Sequence, residues 1–280
     1  MQGSESGPVP LEVPARIRLD VAYDGTGFAG WAPQPDQRTV AGVLTGELER
    51  LFRTVSGLTV AGRTDAGVHA TGQVCHVDVP AAAWEALSPS LIRRLAGLLP
   101  PDVRVFGARR VPPSFDARFS AIFRRYEYRI SDAVGGVGPL RRLDTVAWPR
   151  PLDVSAMDEA ARALEGEHDF VAFCRRKEHA TTIRTVSEFS WRRDGDGILV
   201  ANVRADAFCQ QMVRSFVGAT LAVGEGRRPV SWPASLLSVT ERSSEVLVAP
   251  PHGLTLVEVG YPSDEGDYAR QADATRRMRG

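Results

Sequence analysis

One order of elements runs twice through this 280-residue chain: strand, helix, two strands, helix, strand. "ARIRLDVAY" (15–23) puts Ile17, Leu19, Val21 and Tyr23 on one face, the period-two pattern of a half-buried strand. Thr39 then stands as an N-cap before Val40, Val43, Leu44, Leu48, Leu51 and Phe52, which recur at helical spacing. "LTVAG" (58–62) and "QVCHVDV" (73–79) read as strands. Ser88 and Pro89 suit an N-cap and a first helical position for the apolar run Leu91 to Leu99. "DVRVFGARRV" (102–111) closes the first pass as a strand. The second pass runs "RRYEYRI" (124–130), a helix over 153–164, a hairpin of 182–193 with 197–205, a helix over 207–224, and a strand over 253–261.

This order is the split βαβ of ferredoxin-like folds. The expected class is α/β (α+β). Two ferredoxin-like halves, 15–115 and 116–262, carry mainly antiparallel sheets joined side by side around a central cleft. No clear sequence repeat links the halves; only the element order repeats. Insertions at 131–150, 166–182 and 225–250 are expected to rim the cleft. Residues 1–14 lack the basic start and apolar run of a signal peptide and read as a disordered lead-in. The polar stretch 263–280 reads as a mobile tail. No uninterrupted apolar run is long enough to span a membrane.

The 34 basic and 34 acidic residues cancel, which is mild evidence against a nucleic-acid binder. Net charge hides distribution: residues 101–150 hold ten arginines against five acids, enough for a local basic surface. Lys177 is the only lysine, a bias that codon usage explains most simply. Cys75, Cys174 and Cys209 are far apart and form no CxxC, so no disulfide framework is expected and a reducing cytoplasm is. His69, Cys75 and His76 lack the second half of a metal site.

Four stretches invite a chemical reading. "GTGFAG" (25–30) matches a dinucleotide fingerprint, but Pro33 and Pro35 follow where a helix should open. A glycine turn lining a cleft fits better than an oxidoreductase. "AGRTDAGVHA" (61–70) sets Arg63 and Asp65 between glycines; alone, this is as well a turn as a held carboxylate. "RRYEYRI" puts Arg124, Tyr126 and Tyr128 on one face, as core packing or as a surface that stacks a nucleobase. Arg214 is the only charge between Ala207 and Gly224, on a helix apolar almost all round. An unpaired buried charge is costly, so it implies an anionic partner, structural or catalytic.

Together these stretches resemble the TruA family of tRNA pseudouridine synthases. "YDGTGFAGW", "AGRTDAGVHATGQV", "RRYEYRI", "HDFVAFC", "AFCQQMVRSFVGA" and "PPHGLTLVEVGY" fall in that family's order, across residues 16 to 262. The resemblance implies an isomerase without cofactor or metal that turns uridine into pseudouridine in the tRNA anticodon stem-loop, at nucleotides 38 to 40. It implies Asp65 as nucleophile, Arg63 as the group that displaces or holds the flipped nucleotide, Tyr126 against the target base, and Arg214 paired with Asp65. Arg124 and Tyr128, on the same face of that strand, are expected to bind the substrate with it. It also implies a homodimer with tRNA across both subunits. Gln210 and Ala41 depart from the residues common there. The competing reading is a non-catalytic RNA-binding protein of paired RRM-like halves, which would need neither Asp65 nor a matching Arg214.

Overall fold

The computed structural model describes residues 14–175 and 181–279. The expected lead-in lies outside them except for Pro14. In the first half, β1 (Ala15–Tyr23) is followed by α1 (Val40–Phe52), β2 (Ser56–Val60), β3 (His69–Val79), α2 (Ala81–Leu87), α3 (Leu91–Leu98) and β4 (Val103–Val111). The second half contains β5 (Phe123–Ser131), β6 (Val146–Ala147), α4 (Val154–Arg162), β7 (Gly166–Asp169), β8 (Ile183–Arg193), β9 (Leu199–Ala205), α5 (Met212–Gly224), α6 (Trp232–Ser235) and β10 (Leu254–Gly260). Helix α7 (Tyr268–Arg279) ends the chain.

The strands form one continuous sheet in the order β4-β1-β3-β10-β5-β9-β8-β7, with β2 also on β3 and β6 on β5. Each half repeats the ferredoxin-like order: β4-β1-β3-β2 and β10-β5-β9-β8. The halves are joined by a short parallel pairing of β10 with β3, Thr255 opposite His69 and Leu256 opposite Ala70. The other main-path pairs are antiparallel. The expected neighbouring sheets are thus one sheet with a seam.

Burial follows the sequence pattern where that pattern was strong. Strand β1 alternates buried and half-buried along its whole length. Thr39 caps α1 by accepting from the Gly42 amide at 3.2 Å. That helix buries Val40, Ala41, Leu44, Leu48 and Phe52, and a fully buried leucine contributes about 1.5–3 kcal/mol.

Four expectations are corrected. Residues 207–211 are not helical: Gln211 has a left-handed backbone (φ 67) just before α5 and Gln210 forms an isolated bridge with Arg175. The tail is helix α7, anchored by buried Tyr268, Ala272 and Thr275. Its apolar positions are few, so the period is weak in sequence, but Tyr268 packs edge-on against Phe115 with ring centroids 5.0 Å apart. Cys174 and Cys209 are joined as a disulfide, Cα atoms 5.5 Å apart. The Arg175–Gln210 bridge brings their segments together, which spacing along the chain does not reveal, so cysteine spacing no longer speaks for a reducing compartment. Ser88 is not the cap of the helix that follows; α2, unexpected, precedes it. No helix among the described residues is long and apolar enough to cross a membrane.

Candidate active site

A cleft of about 990 Å³ lies over the seam between the halves. Its walls come from 29–34, 58–68, 116–119, 181–184 and 207–214. Of the three insertions expected to rim it, only the end of 166–182 reaches it, through Thr181; among the described residues, 131–150 and 225–250 do not.

The β2–β3 loop carries Arg63 and Asp65 into this cleft. A buried polar network fixes that loop. The Tyr23 hydroxyl meets Thr64 Oγ1 at 2.8 Å. The Gln73 amide, fully buried, donates to the Tyr23 hydroxyl at 3.1 Å and to the Gly62 carbonyl at 2.9 Å. Burial pushes the Tyr23 phenol up to about 12, so it stays a neutral partner. Trp31 donates its amide to the Thr64 carbonyl at 3.1 Å.

The glycine turn at 25–30 has its explanation here. A Cβ on Gly25 would overlap the Val68 carbonyl, and one on Gly30 (φ +101) would lie 2.9 Å from the Thr64 carbonyl oxygen. The turn packs backbone to backbone against the Asp65 loop. Glycine is needed for that approach.

Asp65 Oδ2 lies 3.6 Å from Arg214 Nη1. Arg214 stands in the first turn of α5, where every other residue is buried. Its side chain is half-hidden rather than sealed between layers as expected, 15 % exposed against 32 % for Asp65. Two backbone ties set its position: Arg214 Nε donates to the Ala249 carbonyl at 2.6 Å, and the Ala249 amide donates to the Arg214 carbonyl at 3.1 Å. One guanidinium thus joins α5, the segment before β10 and the Asp65 loop.

Tyr126, on β5, is 7 % exposed and lines the same cleft. It meets the Phe208 ring edge to face, centroids 5.2 Å apart. Burial raises its pKa most; the nearby Tyr23 and Asp65 add to this and Arg124 opposes it. Its hydroxyl has no hydrogen-bond partner among the described residues, leaving it for a ligand. Arg63 is exposed at the lip, with no ion pair among the described residues.

The other two expected substrate contacts sit differently. Tyr128 is fully buried, away from the cleft lining, and donates its hydroxyl to the Pro250 carbonyl at 2.8 Å. It is a core residue because the strand's same-face positions extend past the cleft into the interior. Arg124 lines the cleft, but its guanidinium is occupied by three carbonyls: Asp206 at 2.8 Å, Ala61 at 2.8 Å and Arg118 at 2.6 Å. It ties together three segments of the wall. Sequence reasoning missed Phe208 and Arg184 in the lining. The helix expected over 207–224 takes in Phe208, but α5 begins only at Met212. Ala41 and Gln210 both line the cleft. Among the described residues, no group of three or more His, Cys, Asp or Glu could hold a metal ion.

A family model described as tRNA pseudouridine synthase matches residues 160–262, the stretch carrying Arg214. A tRNA pseudouridine synthase A of Frankia casuarinae is 57 % identical over 265 residues, covering 94 % of this chain and 95 % of that protein. The one of Streptomyces griseus subsp. griseus is 54 % identical over 266 residues, covering 92 % of each. Among solved structures, a chain of the archaeal box H/ACA sRNP Nop10-Cbf5 complex is 11 % identical with a TM-score of 0.32, and this chain spans 58 % of its length; so slight a likeness carries no argument. Identity of this order along nearly the whole length decides the matter: the chain belongs to the tRNA pseudouridine synthase A family, a family of isomerases.

Proposed function

We propose that this protein isomerises uridine to pseudouridine in the anticodon stem-loop of tRNA, at positions 38 to 40, with Asp65 as the nucleophile. The observation that carries this reading is the Asp65–Arg214 pair in a cleft also lined by Tyr126. Asp65 forms a covalent adduct with the nucleotide and leaves again. The C1′–N1 bond breaks, the uracil turns, and C1′ joins C5. N1 gains a proton and C5 loses one, so atoms and charge balance without cofactor or metal.

Each neighbour has a task. Arg214 orients the Asp65 carboxylate. Tyr126 packs against the base, and its neutral hydroxyl relays the C5 proton to the Asp65 carboxylate once the adduct has broken down. A stem nucleotide must be flipped out, at a cost of a few kcal/mol in stacking and pairing. Arg63, exposed at the lip, holds the vacated space open. Arg124 acts by fixing the cleft wall around the substrate. The reading includes a cytoplasmic homodimer with tRNA lying across both subunits.

The test is to incubate the protein with tRNA transcripts carrying uridine at chosen positions of the anticodon arm and map pseudouridine. Product at 38 to 40 without added cofactor or metal is expected. Absence of pseudouridine from every transcript would overturn the reading.

A further inference from the structure

Arg184 is 8 % exposed, on β8, and lines the same cleft as Asp65. Its Nε is buried without a hydrogen-bond partner among the described residues. Among the described residues its Nη1 donates only to the carbonyl of its own neighbour, Ile183. The carboxylates that act on it, Asp206 and Asp169, accept hydrogen bonds elsewhere. Asp206 Oδ1 accepts from the Thr185 and Ala207 amides at 3.0 and 2.8 Å. Asp169 Oδ1 accepts from the Val171 amide and the Thr182 hydroxyl at 3.1 and 2.5 Å. No ion pair joins Arg184 to either among the described residues.

The other arginines of this region with buried nitrogens are accounted for. Arg124 has its three carbonyls. Arg204 also has an unpartnered Nε, but its guanidinium lies over the Phe123 ring, 3.8 Å from the centroid. Arg184 has neither arrangement. Burial is the largest influence on it and lowers its pKa, with Asp206 and Asp169 pulling the other way. A desolvated, unpaired guanidinium is a cost to the free protein. In a cleft that takes a polyanion, the same group offers a phosphate its Nη2, which no acceptor holds among the described residues.

We propose that Arg184 binds a phosphodiester of the RNA strand in the cleft, a substrate contact separate from the Asp65–Arg214 pair. This rests on the reading of the cleft as the RNA site. Arg184 then has two opposite effects: it destabilises the free fold and strengthens the complex.

The experiment compares the wild type, Arg184→Met and Arg184→Lys for tRNA affinity across a salt series, thermal midpoint and pseudouridine formation. Arg184→Met is expected to lose about tenfold or more in affinity. Its log-affinity against log-salt slope should flatten by about 0.7–0.9, the value of one phosphate contact. Its thermal midpoint should stay or rise. Arg184→Lys should keep the slope and lose part of the affinity, because the shorter side chain keeps the charge but not the position of Nη2. Unchanged affinity and slope in Arg184→Met would overturn the proposal. So would a lower midpoint or failure to fold, which would mark Arg184 as a structural residue. A wild type that neither binds nor modifies tRNA would instead overturn the reading of the cleft itself, so the two failures are distinct.

Discussion

Arg214 reaches Asp65 at 3.6 Å while its own Nε and carbonyl are both tied to Ala249. The contact crosses the seam between the two halves. It is therefore a positioned pair: neither partner can shift without moving a backbone segment.

Arg214→Lys keeps the charge but shortens the reach and loses the fork that serves Ala249 and Asp65 together. We expect about 100-fold or more loss of kcat, in line with the sensitivity of catalysis to misplacement, with tRNA affinity largely kept. Single-turnover kinetics beside a binding titration checks this. Wild-type kcat in Arg214→Lys would contradict it.

Tyr126→Phe removes a hydroxyl that has no partner among the described residues. The thermal midpoint and tRNA affinity should be retained, since nothing buried is left unpaired. The rate should fall by about 10²-fold or more, the usual worth of a positioned proton-transfer group. A variant as fast as wild type would leave Tyr126 only its packing role.

Gly25→Ala drives a methyl into the Val68 carbonyl. Overpacking of this kind costs about 1–3 kcal/mol, and here it displaces the Asp65 loop. Urea unfolding should show the loss, and activity should fall further than the folded fraction explains. An unperturbed midpoint would show that the turn can yield.

Much of this was legible in the chain. Ile17, Leu19, Val21 and Tyr23 alternate in sequence and are all buried. Thr39 is the cap that its position announced. Asp65 and Arg214 were each conspicuous, one between glycines and one alone on an apolar helix. Their meeting depends on the β3–β10 seam, which no local pattern encodes. Residues 207–211 misled because their apolar spacing suits a helix, while Gln211 adopts a left-handed backbone instead. The Cys174–Cys209 pairing, the burial of Tyr128 and the unpaired state of Arg184 arise from tertiary neighbours. The glycines of "GTGFAG" stand out in the sequence, but the backbone they pack against, the Asp65 loop, is visible only in three dimensions.

His76 is buried, and its Nδ1 accepts from the Ala117 amide at 3.0 Å, so the native state holds it neutral. Burial, with Arg16 adding, pushes its pKa down from 6.5 to about 4; Asp116 and Asp78 resist this. Between those values the unfolded chain binds the extra proton and the native one does not, so stability rises with pH. The contribution is fully present above about pH 6.5 and is lost as pH falls toward about 4. Urea midpoints for wild type and His76→Asn at pH 7 and pH 5 check this: the pH 5 drop should be smaller in the variant. An equal drop in both would contradict the assignment.

The most direct measurement is single-turnover pseudouridine formation by Asp65→Asn, which keeps the size of the side chain and removes its charge. The account predicts no product above background, with tRNA still bound and the thermal midpoint close to wild type. Pseudouridine formed at near the wild-type rate would show that Asp65 is not the nucleophile.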